Sequence, residues 1–223
     1  MGVKKIIGFD FDGSVIRSIA SDEAHYEWFK VMSVLLKDPK VKKLAGKRDY
    51  FPDVYRLMKK YTGLSTKNAF EKEVSTRLAR NLYQLAMLGP ANKYKKKLLF
   101  KDVAKLILKL KKKYKVALIT TVPGDIVLPM LKLINFEKFD IVHTTPINEK
   151  PSKLIALKRF SKKYKKPALY IGNTLEDMEA CKKLKIKSVL VTWGKYDKKA
   201  VNVADYVAQN AEELKKIIKH LNL

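Results

Sequence analysis

The chain contains very little cysteine or histidine. Its 223 residues include one cysteine, Cys181, so neither an internal disulfide nor a cysteine metal cluster can form within it. The three histidines, His25, His143 and His220, are too scattered to indicate a ligand cluster. The short apolar stretch near the N-terminus is broken by a glycine and an aspartate. We therefore expect no signal peptide, no membrane span and a cytoplasmic protein.

Acidic residues and arginine are also scarce. Lysine and arginine total 48 against 22 aspartates and glutamates, which gives a formal net charge of +26. A charge of this size attracts nucleic acids, anionic membrane surfaces or acidic metabolites, and it does not indicate which of these the protein binds. Only six of the 48 basic residues are arginine, the residue best suited to reading base edges, so sequence-specific nucleic-acid recognition is disfavoured. The lysine runs fall mostly at predicted helix ends, which is typical of solvated surface.

The rest of the composition is that of a globular protein. Hydrophobic residues make up 47% of the chain and charged residues 31%. The length allows one well-buried core and a smaller second domain. Residues 3–9 form a short apolar run that ends in Asp-Phe-Asp-Gly, which predicts a buried strand followed by a turn.

Residues 17–95 have the periodicity of helices. The pattern predicts a helix from residue 21 to about 38, a second that begins at a proline, residue 52, and a third over 65–88. A Gly-Pro pair at 89–90 is expected to end the third helix. We interpret this segment as a helical insert.

Beyond the insert, short apolar runs alternate with amphipathic segments. The predicted strands are 115–120, 139–143, 168–172 and 187–192, and the predicted helices are 101–113, 124–135, 151–164, 175–185 and 211–221. Repeated βα units predict a parallel sheet covered by helices on both faces. The expected fold is therefore α/β, a doubly wound, Rossmann-like core of residues 1–16 and 96–223 with an α-helical cap domain, 17–95, inserted into it.

Two aspartates follow the first predicted strand. In sheets of this kind ligands bind at the carboxyl ends of the strands, so the loops after residues 9, 119, 143 and 171 should face one crevice. Asp10 and Asp12 are two residues apart and project to the same side. Two such charges are tolerated when a cation lies between them or when one keeps a proton, and either arrangement is functional. The alternative is that both acids only cap the turn.

Polar residues also follow the later strands. Thr120 and Thr121 bring hydroxyls that can bind a phosphate oxygen. Lys150 lies at the start of a predicted helix, where a cation and free backbone N–H groups make an anion site. Asn173 and Asp177 supply oxygen ligands suited to magnesium. Each feature alone is uninformative, because threonines commonly end strands and lysines are abundant here.

Taken in order, FDFDGS, LITT, KPS and IGNTLED resemble the four motifs of the haloacid dehalogenase superfamily. The insert lies between the first two motifs, where type I helical caps occur in that superfamily. Trp193-Gly194 is similar to members of the phosphoglycolate-phosphatase type, although this match is short. The resemblance covers the whole chain and implies a phosphatase fold and chemistry.

The resemblance implies a role for each motif. Asp10 would be the nucleophile that forms an aspartyl-phosphate, and Asp12 would protonate the leaving oxygen and then deprotonate the attacking water. Thr120 and Lys150 would hold the phosphoryl oxygens. Family dehalogenases lack an acid at the position of Asp12, so phosphate chemistry is expected rather than dehalogenation.

The resemblance also implies Mg²⁺ as cofactor. Its ligands would be the Asp10 carboxylate, the Asp12 backbone carbonyl and the fourth motif, with Asn173 and Asp177. Relatives usually carry aspartate where this chain has Asn173. An amide brings no negative charge, so a lower metal affinity is expected, with Asp177 compensating in part.

The expected substrate is a small phosphate monoester. Ser14 and Thr121 are candidate substrate contacts beside the phosphate. In capped relatives the insert closes over the crevice. Lys47 and Arg48 are the candidates here to pair with a second anionic group, such as the carboxylate of phosphoglycolate or the second phosphate of a sugar bisphosphate. An exposed basic loop is the alternative for these two residues.

Two other functions stay open at this stage. The protein can be a weakly active or inactive member that binds nucleic acid or an acidic partner through its lysine-rich surface, or an enzyme that transfers the phosphoryl group to an acceptor other than water, as mutases do. Salt dependence would separate the first from a phosphatase, and product analysis the second. We expect no membrane partner, and a monomer or homodimer.

Overall fold

The computed structural model describes residues 4–44, 51–64, 68–149 and 151–223. Six strands form one sheet in the order β3-β2-β1-β4-β5-β6, and every neighbouring pair is parallel. The strands are β1 (Ile6–Phe9), β2 (Lys115–Ile119), β3 (Ile141–His143), β4 (Leu169–Gly172), β5 (Lys187–Val191) and β6 (Tyr206–Ala208). This confirms the predicted doubly wound α/β fold.

Eight α-helices and two short 3-10 helices, Pro39–Leu44 and Lys198–Asn202, occur in the described residues. The α-helices are α1 (Ile19–Leu35), α2 (Phe51–Thr62), α3 (Ala69–Leu98), α4 (Lys101–Leu110), α5 (Gly124–Leu133), α6 (Lys153–Tyr164), α7 (Leu175–Leu184) and α8 (Ala211–His220). None of these helices is both long enough and apolar enough to cross a membrane.

Two details of the predicted elements are wrong. Helix α3 does not end at Gly89-Pro90 but continues through Pro90 to Leu98. A proline inside a helix removes one hydrogen bond, but the following residues are mostly good helix formers, and Lys93 and Tyr94 bond to Glu23. Strand β6 was not predicted, because it has only three residues. Val207, its middle residue, is exposed, and so short a segment shows no clear alternation of buried and exposed residues.

By their contacts the residues form two compact units. One contains residues 1–18, 96–145 and 151–223, and the other contains 19–95 and 146–150. The first holds the sheet, whose central strands β1 and β4 are fully buried. The second has its own apolar core around Trp28, Phe29 and Met32.

Residues 146–150 belong to the helical unit although they lie far from it in sequence. Arg80 of α3 is buried and donates hydrogen bonds from Nη1 to the backbone carbonyl of Pro146, at 3.1 Å, and to that of Glu149. This contact joins two segments that sequence patterns alone would assign to different domains.

Candidate active site

The candidate site lies where the strand order reverses. Strand β1 pairs with β2 on one side and with β4 on the other, so the loops that follow β1 and β4 diverge at this point. Asp10 directly follows β1, and its backbone N–H donates to the Ile171 carbonyl of β4 at 2.7 Å. Asn173 directly follows β4. Such a reversal is where doubly wound sheets bind their ligands.

A buried lysine joins two carboxylates beneath this point. Lys153 Nζ lies 2.5 Å from Asp10 Oδ1 and 3.0 Å from Asp177 Oδ1. The side chains of Lys153, Asp10 and Asp177 are only 5%, 10% and 0% exposed. Because water is excluded, each charge depends on the others for stabilisation. The three side chains therefore form one electrostatic unit.

Tyr170 completes this cluster. Its hydroxyl accepts a hydrogen bond from Lys153 Nζ at 2.8 Å and donates one to the Ile119 carbonyl at 2.9 Å. The ring fits because residue 8 is glycine: a Cβ at Gly8 would lie 2.9 Å from both the Tyr170 ring and the Ile119 side chain. Tyr170 thus connects the lysine to the end of β2, immediately before Thr120.

The pKa shifts follow from this arrangement. Burial raises the pKa of Asp10 to about 7, with Lys153 opposing the rise and Asp177 adding to it. Burial alone would lower the pKa of Lys153, but the attraction of Asp10 and Asp177 raises it above its usual value. Burial also raises the pKa of Tyr170 well above that of an exposed tyrosine. Lys153 is therefore held as a cation, and Tyr170 keeps its proton.

By its motif, Lys150 is the lysine expected to bind the phosphate. Lys150 lies outside the described residues. The lysine in contact with Asp10 is Lys153, which belongs to none of the four motifs. A usable signal existed, since Lys153 lies three and four residues before Ala156 and Leu157, both buried on the same face of α6. A lysine on an otherwise apolar helix face indicates a buried charge with a partner.

Asn173 is held at both ends of its amide. Its Nδ2 donates to the Lys195 carbonyl at 2.7 Å, and its Oδ1 accepts from the Ser14 hydroxyl at 3.3 Å. Gly13 has a φ of +81°, and a Cβ there would lie 2.1 Å from Asn173 Nδ2, so glycine is required for both conformation and space. Because Nδ2 is bonded to Lys195, Oδ1 of Asn173 faces Ser14.

Asp177 stabilises the start of α7 as well as contributing a negative charge. Its Oδ2 accepts hydrogen bonds from the backbone N–H groups of Asn173 and Thr174, at 3.2 and 3.0 Å, and from the Thr174 hydroxyl at 2.7 Å. Together with the Thr174 side chain it forms a capping box at the start of α7. Oδ1 faces Lys153. Both carboxylate oxygens of Asp177 thus interact with other groups of the protein. This favours a role in which Asp177 positions the metal-binding residues and does not itself bind the metal.

The other predicted residues lie at the same edge of the sheet. Thr120 follows β2 and is buried, with its N–H donating to the His143 carbonyl and its Oγ1 accepting from Val122 N–H. Thr121 is next to it and partly exposed. Asp12 is partly buried in the turn after β1. Lys47 and Arg48 lie outside the described residues.

The side chains present fit a hard divalent cation. The Asp10 carboxylate, the Asp12 backbone carbonyl and Asn173 Oδ1 are all oxygen donors, the type that Mg²⁺ prefers. Over residues 4–44, 51–64, 68–149 and 151–223, no group of three acidic, histidine or cysteine side chains is placed to hold a metal. A cation here would therefore depend on an amide and a backbone carbonyl as well as on Asp10.

The doubly wound parallel sheet is that of a Rossmann-like α/β fold. The family model described as haloacid dehalogenase-like hydrolase matches residues 7–191. The chain belongs to this family. Relatives in this family generally use Mg²⁺.

Solved structures share the fold at low sequence identity. A haloacid dehalogenase-like hydrolase from Streptococcus pneumoniae has a TM-score of 0.67 and 20% identity, with 96% of this chain and 98% of that chain covered. A predicted phosphatase from Clostridium acetobutylicum has a TM-score of 0.69 at 16% identity, covering 98% and 100%. A β-phosphoglucomutase from Clostridium difficile has a TM-score of 0.66 at 17% identity, covering 98% and 96%. Comparison with curated proteins gives no match.

Proposed function

We propose that the protein is a Mg²⁺-dependent phosphatase that hydrolyses a small phosphate monoester. The observation that carries this proposal is the buried ion pair of Asp10 with Lys153 at the reversal point of the sheet. A carboxylate kept in a dry site beside a fixed cation is suited to attack an anionic phosphate, because the cation offsets the repulsion between the two negative groups. The predicted phosphatase and the β-phosphoglucomutase that share this fold support phosphoryl chemistry at the site.

In this proposal Asp10 attacks phosphorus and forms an aspartyl-phosphate, while the alcohol oxygen departs. Asp12 gives its proton to that oxygen and then takes one from the water that attacks the aspartyl-phosphate, which releases inorganic phosphate and restores Asp10. The Thr120 hydroxyl holds a phosphoryl oxygen, and Ser14 and Thr121 line the phosphate site. Lys153 has its N–H groups turned to Asp10, Asp177 and Tyr170, so it supplies its positive charge through Asp10. Lys150 is the alternative lysine for the phosphoryl oxygens.

Mg²⁺, held by Asp10, the Asp12 carbonyl and Asn173, would neutralise charge shared by the phosphate and Asp10. Asp177 would act through Lys153 and through the position of Asn173. Lys47 and Arg48 are the candidates to contact the leaving group. They suit a substrate with a second anionic group, such as the carboxylate of phosphoglycolate or the second phosphate of a sugar bisphosphate.

The first test is hydrolysis of a generic aryl phosphate by the purified protein. We expect release of inorganic phosphate with added Mg²⁺ and loss of activity with a chelator, recovered when Mg²⁺ is restored. A panel of small phosphate esters then identifies the substrate class. Products that retain all the phosphate on a second acceptor would indicate a mutase or transferase, and inactivity with every ester and metal would contradict the proposal.

The Asn173→Asp variant tests the metal site without relying on turnover. The carboxylate would place an oxygen about where Nδ2 now donates to the Lys195 carbonyl, so a hydrogen bond is replaced by repulsion. Without metal we expect the variant to lose about 1–3 kcal/mol of unfolding free energy. Added Mg²⁺ should stabilise the variant more than the wild type, because the added charge strengthens cation binding.

Denaturant unfolding with and without Mg²⁺ measures both effects. Asn210→Asp is the matched control, since Asn210 caps α8 far along the chain and aspartate caps a helix equally well. An equal response of both variants to Mg²⁺ would argue against a role for Asn173 in binding the cation.

A further inference from the structure

In the unit that contains the sheet, charge is divided between the two edges of the sheet. Because all six strands are parallel, every strand begins at one edge, called here the amino edge, and the helices end there. The opposite edge carries the candidate site and the first turns of the helices, with acids such as Asp102, Asp125, Glu176 and Glu212. The amino edge carries lysines instead.

We define the basic edge as the lysines of segments 4–5, 109–115, 162–166, 182–187 and 216–219. Each segment starts a strand, ends a helix or joins the two at the amino edge. All of these lysines are exposed except Lys111, which is partly exposed. These lysines therefore lie at the starts of the four inner strands, β2, β1, β4 and β5, and at the end of α8.

Neighbouring acids leave most of this charge uncompensated. Lys111 pairs with Asp140 at 3.0 Å. Asp205 lies at the same edge but accepts hydrogen bonds from Ser188, through its backbone N–H and its hydroxyl. Among the residues that the structure describes, no other lysine of the basic edge makes an ion pair. Glu137 precedes β3 and is exposed.

Helix electrostatics explain only part of the pattern. Lysines in the last turn of a helix, such as Lys109, Lys163 and Lys183, interact favourably with its carbonyl end. This effect falls off within one turn, so it does not account for the lysines at the starts of strands, such as Lys115 and Lys187. The lysines at the starts of strands therefore leave a positively charged surface that a partner of opposite charge can bind.

The aromatic residues at this edge decide which partner fits. Tyr114 is buried, and its hydroxyl donates to the Leu223 carbonyl. The Tyr164 ring packs on Phe160 with centroids 5.1 Å apart. These rings are not presented for stacking on unpaired bases or for insertion into a membrane. Lysine carries a compact charge that contacts phosphates, whereas arginine has the planar guanidinium group that reads base edges. A surface of lysines therefore suits contact with the phosphate backbone but not recognition of bases.

We propose that the basic edge binds the phosphodiester backbone of duplex nucleic acid without reading its sequence. Since the edge is opposite the carboxyl ends of the strands, bound nucleic acid leaves the Asp10 site open to small esters. The two activities are therefore independent, and loss of one leaves the other in place.

The test is binding of a short mixed-sequence duplex, measured by fluorescence anisotropy at several salt concentrations. We expect the affinity to fall by about 10³-fold between about 50 and 200 mM monovalent salt. Replacing Lys112, Lys163, Lys166 and Lys183 by glutamate should weaken binding at low salt and reduce the slope of log affinity against log salt by about 0.9 for each lysine that contacts phosphate.

The matched control replaces Lys96, Lys101, Lys198 and Lys199 by glutamate. These four are also exposed and change the net charge by the same amount, but none belongs to the basic edge. The control should keep nearly the wild-type affinity and slope. If the edge variant fails to fold by circular dichroism, glutamine at the same four positions replaces glutamate.

Three results would overturn the proposal. The first is an equal loss in the edge and control variants, which would show that only net charge matters. The second is no duplex binding by the wild type at low salt. The third is binding confined to vesicles that contain anionic lipid, which would make the edge a membrane-contacting surface.

Discussion

Asp10→Asn should abolish phosphate-ester hydrolysis while leaving the fold intact. An amide cannot form the acyl-phosphate bond, so we expect the rate to fall by at least about 10³-fold, the scale seen when a covalent nucleophile is removed. Burial raises the pKa of Asp10 to about 7, which means that ionising this carboxyl in the folded protein is unfavourable. The neutral, nearly isosteric asparagine removes this cost, and Lys153 keeps Asp177 as its ionic partner at 3.0 Å. The variant should therefore keep most of the unfolding free energy at neutral pH.

The sign of this stability effect follows from proton linkage. A carboxyl whose pKa is raised on folding binds its proton more tightly in the folded state, so it costs stability as pH rises from its usual pKa of 3.8 towards about 7. Asparagine removes that pH dependence. Denaturant unfolding from about pH 4 to pH 8, beside the aryl phosphate assay, measures both effects.

The control for Asp10→Asn is Asp102→Asn, which makes the same change at an exposed acid in the first turn of α4. It should retain full activity. Loss of a nucleophile lowers the rate by about 10³-fold or more. If Asp10→Asn kept more than about a tenth of the wild-type rate, Asp10 would therefore not be the nucleophile.

Lys153→Met should lose both activity and stability, in contrast to Asp10→Asn. The change removes the cation from Asp10 and Asp177, which leaves two buried carboxyl groups without their shared partner. Breaking a buried ion pair from one side costs about 3–5 kcal/mol of unfolding free energy. The rate should fall as well, because the phosphoryl oxygens and Asp10 lose their fixed positive charge.

Lys150→Met is the matched control, since it makes the same substitution three residues earlier. We expect it to retain the wild-type stability. The pair of variants also decides which lysine serves the phosphate. If Lys150→Met lost activity and Lys153→Met retained it, the sequence motif would be the correct guide and the contact of Lys153 with Asp10 would be purely structural.

The core elements were predictable because their signals are local. Strand β1 is a short apolar run ended by an Asp-Phe-Asp-Gly turn, and β2, β4 and β5 are apolar runs of similar length. Alternation of such runs with amphipathic helices suffices to predict a parallel sheet. Parallel strands in turn bring their carboxyl ends to one edge, which is why Asp10, Thr120 and Asn173 could be expected together.

Elements decided by distant contacts were not predictable. Strand β6 pairs with β5 although its own three residues carry no clear pattern. Helix α3 continues through Pro90, where contacts of Lys93 and Tyr94 with Glu23 add to the helix-forming sequence that follows. Residues 146–150 join the helical unit through Arg80. Local propensity is weak beside such tertiary contacts.

The sequence by itself determined the class of this protein, the strand ends at which its chemistry is expected and its excess of positive charge. Only the tertiary structure decided which side chains share that site. It selected Lys153 as the partner of Asp10, added Tyr170 and held Asn173 between Ser14 and Lys195. It also collected the lysines at one edge of the sheet. The reason is physical: whether a side chain is buried, and which side chain it contacts, depends on residues far apart in the chain. Local sequence patterns do not show which of these residues come into contact.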